Sequence, residues 1–174
     1  MRGSSIMRKI TAIIFAACAA FALGACNKEQ EAAAPQAEAK PQVAAMPTNP
    51  SDKTAWKQYL VSVVTANMQG VKTNHPYMYF VPAGDDDATK SDRQNQLDNV
   101  KNVVARGVLP GNMMAFGGPD SKTTADLIVA SFADAQAGSF KDVVVLFIGA
   151  PGDLDAVKQA LASSGAEVRF VEAK

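Results

Sequence analysis

Cysteine and histidine are almost missing from this chain. Its 174 residues include two cysteines, Cys18 and Cys26, and one histidine, His75. With no thiol after residue 26, the remainder of the chain has no disulfide of its own and no thiol chemistry, so its fold has to rest on an ordinary apolar core. The lone histidine, between Asn74 and Pro76, leaves no His-rich metal site and argues against a catalytic triad; a surface turn is its expected place. An excess of either charge is missing too, with 17 basic and 17 acidic residues. No basic patch is long enough for nucleic acid. A membrane-spanning run is also lacking. Residues 10–25 are apolar and largely Ala, but they fall short of the roughly 20 residues that cross a bilayer.

What the N-terminus does have is an order of parts. Arg2, Arg8 and Lys9 precede an apolar run over residues 10–23, which closes on Leu23-Gly24-Ala25-Cys26. Basic, apolar and small residues in that order make a secretory signal. A cysteine directly after the small residues resembles the lipobox of bacterial lipoproteins. The resemblance implies that residues 1–25 are removed, that Cys26 receives lipid on its sulfur and that it becomes the first mature residue. Cys18 is the weaker acceptor, because Phe15 stands where the family prefers Leu, and it leaves with the signal. Asn27, where an Asp would favour the inner membrane, implies the periplasmic face of the outer membrane. Without Arg2, Arg8 and Lys9 the chain keeps 14 basic residues against 17 acidic, a net charge of about −3.

Residues 26–50 are rich in Ala, Gln, Glu and Pro, with Val43 and Met46 as the large apolar exceptions. Such a segment cannot bury enough surface to order itself and reads as a linker. As a coil it spans about 25–30 Å, from ~5–6 Å times the square root of its length.

Residues 51–174 suffice for one domain. Ser51 or Asp52 caps a first helix in which Trp56, Tyr59, Leu60, Val63, Val64 and Met68 recur at helical spacing up to Gly70. A strand follows over residues 77–81, with Tyr77 and Tyr79 on one face, Met78 and Phe80 on the other, and both faces expected under helices. Ser91 or Asp92 starts a second helix through Leu97, Val100 and Val104 to Gly107. Residues 113–116 form a second strand. Ser121 caps a third helix with Ala125, Ile128, Val129 and Phe132 as its stripe. Residues 143–148 are six apolar positions without a break, the mark of a strand buried on both faces. Asp153 begins a fourth helix through Leu154, Val157 and Leu161, closed by Gly165. Residues 167–172 alternate charged and apolar, as an edge strand does. This alternation predicts an α/β fold: a three-layer sandwich around a mostly parallel four-stranded sheet.

Ligands of open parallel sheets bind at the carboxyl ends of the strands. Three Gly/Asp-rich loops fall there, offering Asp85, Asp87, Asp120, Ser121, Lys122 and Asp153 as candidate ligand-binding residues. The same residues serve any α/β domain as turn formers and helix caps. Lys122-Thr123 match the end of a phosphate-binding loop, but Ser121 and Phe116 stand where its glycines belong. Residues 85–89 resemble the Asp-x-Asp-x-Thr signature of haloacid-dehalogenase-type phosphatases, yet Pro82-Ala83-Gly84 separates them from the strand tip. They also match a calcium loop at Asp85, Asp87 and Thr89, with Lys90 in place of its Gly and Gln96 in place of its Glu. No catalytic set, metal site or cofactor motif emerges. The expected function is a membrane-anchored periplasmic binding or interaction module, held to the membrane by its lipid and partnered by another envelope protein, with no nucleic acid. The alternative is a binder of phosphate or divalent metal, or a weak hydrolase, at the strand ends.

Overall fold

The computed structural model describes residues 42–174; the signal, Cys26 and the linker up to residue 41 lie outside the described residues. These residues belong to one compact unit.

Helix α1 spans Lys53–Ala66 and starts where Asp52 accepts a hydrogen bond from the Ala55 amide at 2.9 Å. Its buried residues are Trp56, Tyr59, Leu60, Val63 and Val64, one apolar stripe at 3.6-residue periodicity. It stops at Ala66 rather than running to Gly70. The Arg169 guanidinium reaches across and donates to the carbonyl of Asn67, the cap residue whose acceptor a helix end leaves open, and to that of Gln69 in the turn beyond, each at 2.8 Å. Strand β1 is Tyr77–Phe80.

Helix α2, Asp87–Arg106, begins well before Ser91. Asp86 is its cap, accepting from the Thr89 amide at 2.9 Å and the Thr89 hydroxyl at 2.6 Å. The first turns of α2 are polar, so apolar periodicity shows only from Leu97 onward and hides the true start. Strand β2 is Met113–Gly117, and helix α3 is Ser121–Phe132. Asp120, not Ser121, caps α3 through the Thr123 amide at 2.6 Å. Within α3 the buried stripe takes in Leu127, while Val129 is exposed. Strand β3 is Val144–Gly149 and is buried along its whole length. A 3₁₀ turn, Pro151–Asp153, leads into α4, Leu154–Leu161; a second turn, Ala162–Ser164, ends at left-handed Gly165. Strand β4 is Glu167–Glu172.

The sheet is parallel throughout, in the order β1-β2-β3-β4. Two apolar clusters flank it. One packs residues of α2, α3 and α4 on Tyr79, Met114, Phe116, Val145 and Phe147. The other packs α1 on Met113, Ala115, Val144, Leu146 and Ile148. The α/β sandwich expected from the alternating pattern is therefore the fold, with three helices on one face and a single helix on the other. Among the described residues no helix is long and apolar enough to cross a membrane.

One helix cannot cover four strands. Strands sit about 4.8 Å apart and a helix with its side chains is about 10 Å wide, so α1 covers roughly two. Beyond β3 the gap is partly covered by the chain itself. Ala44 donates to the Ser62 hydroxyl at 2.9 Å, the Trp56 indole donates to the Asn49 carbonyl at 3.1 Å, and Met46 lies beside Trp56, Glu172 and Ala173. Beside β1 the gap stays open. Met78, on this face and expected under a helix, is 44% exposed; Tyr77, on the opposite face with Tyr79, is likewise uncovered at 42%.

Candidate functional site

Strand order decides how much the carboxyl ends of the sheet offer. A crevice opens where the order reverses and neighbouring loops part toward opposite faces. Here the order never reverses, and the loops after β1, β2 and β3 all lead to helices on the same face. The strand tips keep only a small cavity of about 210 Å³, lined by Gly118, Ser121, Gly149 and Trp56 among others, and the chain packs tightly beside it. A Cβ on Gly118 would overlap the Val81 carbonyl oxygen, and one on Gly149 would meet the Phe147 ring and sit 2.6 Å from the Ser121 hydroxyl.

The polar residues predicted at these tips divide into two groups. Ser121 and Asp153 come together, the serine hydroxyl donating to the carboxylate at 2.5 Å and accepting from the Ala150 amide at 2.6 Å. This arrangement staples the β3 loop to the start of α3. Asp120 caps α3, and its bonds from Thr123 hold its carboxyl below the usual range, with Arg93 and Lys122 adding to the effect. Lys122 turns outward to Asp126 at 2.6 Å, and that bond raises its ammonium pKa. Asp85 and Asp87 stand exposed on the β1 loop and at the start of α2, apart from this cluster, and make no side-chain hydrogen bond among the described residues. Asp86 between them caps α2, and its carboxyl is lowered by Thr89. No three His, Cys, Asp or Glu side chains of the described residues converge as a metal site. His75 is exposed in its turn.

A wider concavity lies elsewhere among the described residues, at the outer edge of β1. This open groove of about 720 Å³ runs between α1, which offers Lys57, Leu60 and Val61, and α2, which offers Asn95, Gln96 and Asn99. Met78 and Phe80 form its floor and Pro82 its end. Lys53 of α1 and Asp92 of α2 bridge across it at 2.9 Å.

The backbone at this edge is available. The Val81 amide donates to the Gly117 carbonyl at 2.9 Å, so Val81, Tyr79 and Tyr77 turn their amides and carbonyls toward β2. Met78 and Phe80, alternating with them, turn theirs outward. Pro82 has no amide, and its carbonyl accepts from Arg93 at 3.2 Å, which limits the open stretch to those two residues. The other edge is guarded. Strand β4 carries Glu167 bonded to Arg169 at 2.8 Å and Glu172 bonded to Lys174 at 3.0 Å. Charged side chains are how sheets keep other strands off their edges. Strand β1, Tyr77-Met78-Tyr79-Phe80, has none.

The residues of this groove were not singled out by sequence reasoning. A signal was present: a strand without a charge, and a helix bearing amides at 95, 96 and 99, four residues apart at its ends. Compared with known proteins, the chain matches no family model, no curated protein and no solved structure.

Proposed function

We propose that this chain is a lipid-tethered docking module of the bacterial cell envelope. It is anchored through Cys26 on the periplasmic face of the outer membrane and binds another envelope protein along the outer edge of β1. The observation that carries the docking part is the asymmetry between the two sheet edges. An apolar, uncharged edge strand with unpaired backbone groups is a template for another chain. Here it lies in a groove between two helices rather than on an open flank. The lipobox and the linker supply the tether, and the sorting follows from Asn27.

A photo-crosslinking residue placed at position 78 tests this in intact cells, with position 109 as an equally apolar and more exposed control on the opposite side of the fold from the strand tips. Met78 is 44% exposed and Leu109 is 77% exposed, so reactivity alone favours the control. The expected result is a discrete adduct from position 78 and none from 109. No adduct from 78 sinks the docking reading.

A further inference from the structure

We infer that the groove takes an extended segment of its partner as a fifth strand beside β1, and that this segment carries an acidic residue two positions from a large apolar one. The inference rests on the docking reading above and adds the chemistry of the partner.

The outward amides and carbonyls of Met78 and Phe80 ask for main-chain partners, and a strand added to the edge supplies them. Side chains of an added strand alternate between the two faces. On the α1 face they meet Val61, 46% exposed, together with Met78 and Leu60, which form an apolar seat. Lys57 stands one turn away from Val61 on the same side of α1. Among the described residues Lys57 makes no ion pair, whereas Lys53 is held by Asp92. Four residues of helix rise about 6 Å, and two residues of strand rise about 6.6 Å. Two same-face side chains of the incoming strand therefore match Val61 and Lys57 in turn, the first apolar and the second acidic.

On the α2 face the strand meets Asn95 and Asn99, again one turn apart, with Gln96 beside them. Their side chains have no hydrogen-bond partner among the described residues. Carboxamides both donate and accept, so they suit a polar side chain or a stretch of peptide backbone of either direction. A second copy of this chain is the poorer occupant. Antiparallel pairing of two β1 strands about a two-fold axis would bring Lys57 of both copies to one face, and β1 has no carboxylate to offer them.

The test uses the full-length chain and two synthetic peptides, Ser-Thr-Glu-Thr-Val-Thr-Ser and its reverse, each with a counterpart carrying Lys in place of Glu. At least one Glu peptide should bind about tenfold tighter than its Lys counterpart, and Lys57→Glu, an exposed change that leaves the fold intact, should invert that preference. Met78→Lys, which gives the edge a guard, should abolish binding of all four. Equal binding of Glu and Lys forms, no binding of either, or a preference that Lys57→Glu leaves in place overturns the inference. So does a concentration-dependent dimer dispersed by Met78→Lys, which would identify the second copy as occupant. The crosslink from position 78 is scored separately. An adduct there with failed peptides removes the acidic strand and leaves the docking reading standing.

Discussion

Tyr79 is the residue at which the packing is least complete. Its ring stacks on Phe116 with centroids 4.8 Å apart, and it is buried, yet its phenol finds no hydrogen-bond partner among the described residues. Leaving a buried hydroxyl unpaired costs about 1–3 kcal/mol, whereas an apolar group of the same shape there is nearly neutral or stabilising. Tyr79→Phe should therefore stabilise the protein by about 1 kcal/mol in urea unfolding. Burial also pushes the Tyr79 phenol up to about 12, against an ordinary value near 10. A raised acid is harder to ionise folded than unfolded. Its stabilising effect is whole below pH 10 and is lost as pH climbs toward 12. Stability of the wild type should fall across that window, and Tyr79→Phe should flatten the decline. A variant less stable than wild type at neutral pH would show that the hydroxyl has a partner after all.

At the scale of elements, the ends of the strands are built to close loops together. Ser121 joins α3 to the β3 loop through one bond given and one accepted, and Gly118 lets the turn after β2 lie against the carbonyl of Val81. Ser121→Ala should cost about 1–2 kcal/mol by chemical denaturation, since it frees both the Ala150 amide and the Asp153 carboxylate. Gly118→Ala should cost ~2 kcal/mol or more, because the obstacle is backbone and cannot rotate away. Wild-type stability in both variants would mean that these residues are held for something other than structure. The same contrast explains what the sequence made legible. Unbroken apolar positions such as those around Val145 and Phe147 have one physical explanation, burial on both faces, and β3 was found with a one-residue shift. Caps are local as well, but Asp86 and Ser91 are equally good capping residues in sequence. Only the bonds from Thr89 distinguish them. The open edge of β1 was hidden for a different reason. Whether Met78 is covered depends on how many helices share its face, and that follows from handedness and strand order over the whole chain. Apolar residues in a strand read as core, and the single helix of the α1 face is visible only after assembly. The tip residues Asp120, Ser121 and Asp153 were legible as polar loop residues, but whether their oxygens face ligand or amide was not.

At the scale of the whole molecule, the proposed docking surface has to be held at a bilayer by something. On this proposal the mature chain, residues 26–174, offers little attraction of its own. Its net charge of about −3 repels anionic lipid, and the polybasic segments that hold proteins at such surfaces, worth about 1 kcal/mol per basic residue, have no counterpart in its sequence. Acyl chains on Cys26 would then be the whole of the attachment. One such chain binds only marginally and stable anchoring takes a second signal, so Cys26 would have to carry more than one chain. Cys26→Ser should consequently shift the protein from the membrane pellet to the soluble fraction completely, leaving no residue of peripheral binding for salt to remove. Its peptide-binding groove, built entirely from residues beyond the linker, should keep its affinity. Intact mass spectrometry of the wild type should show an N-terminus at Cys26 with added lipid. An unmodified wild-type mass, or a Cys26→Ser protein still in the pellet, would place the attachment elsewhere and detach the docking groove from any membrane role.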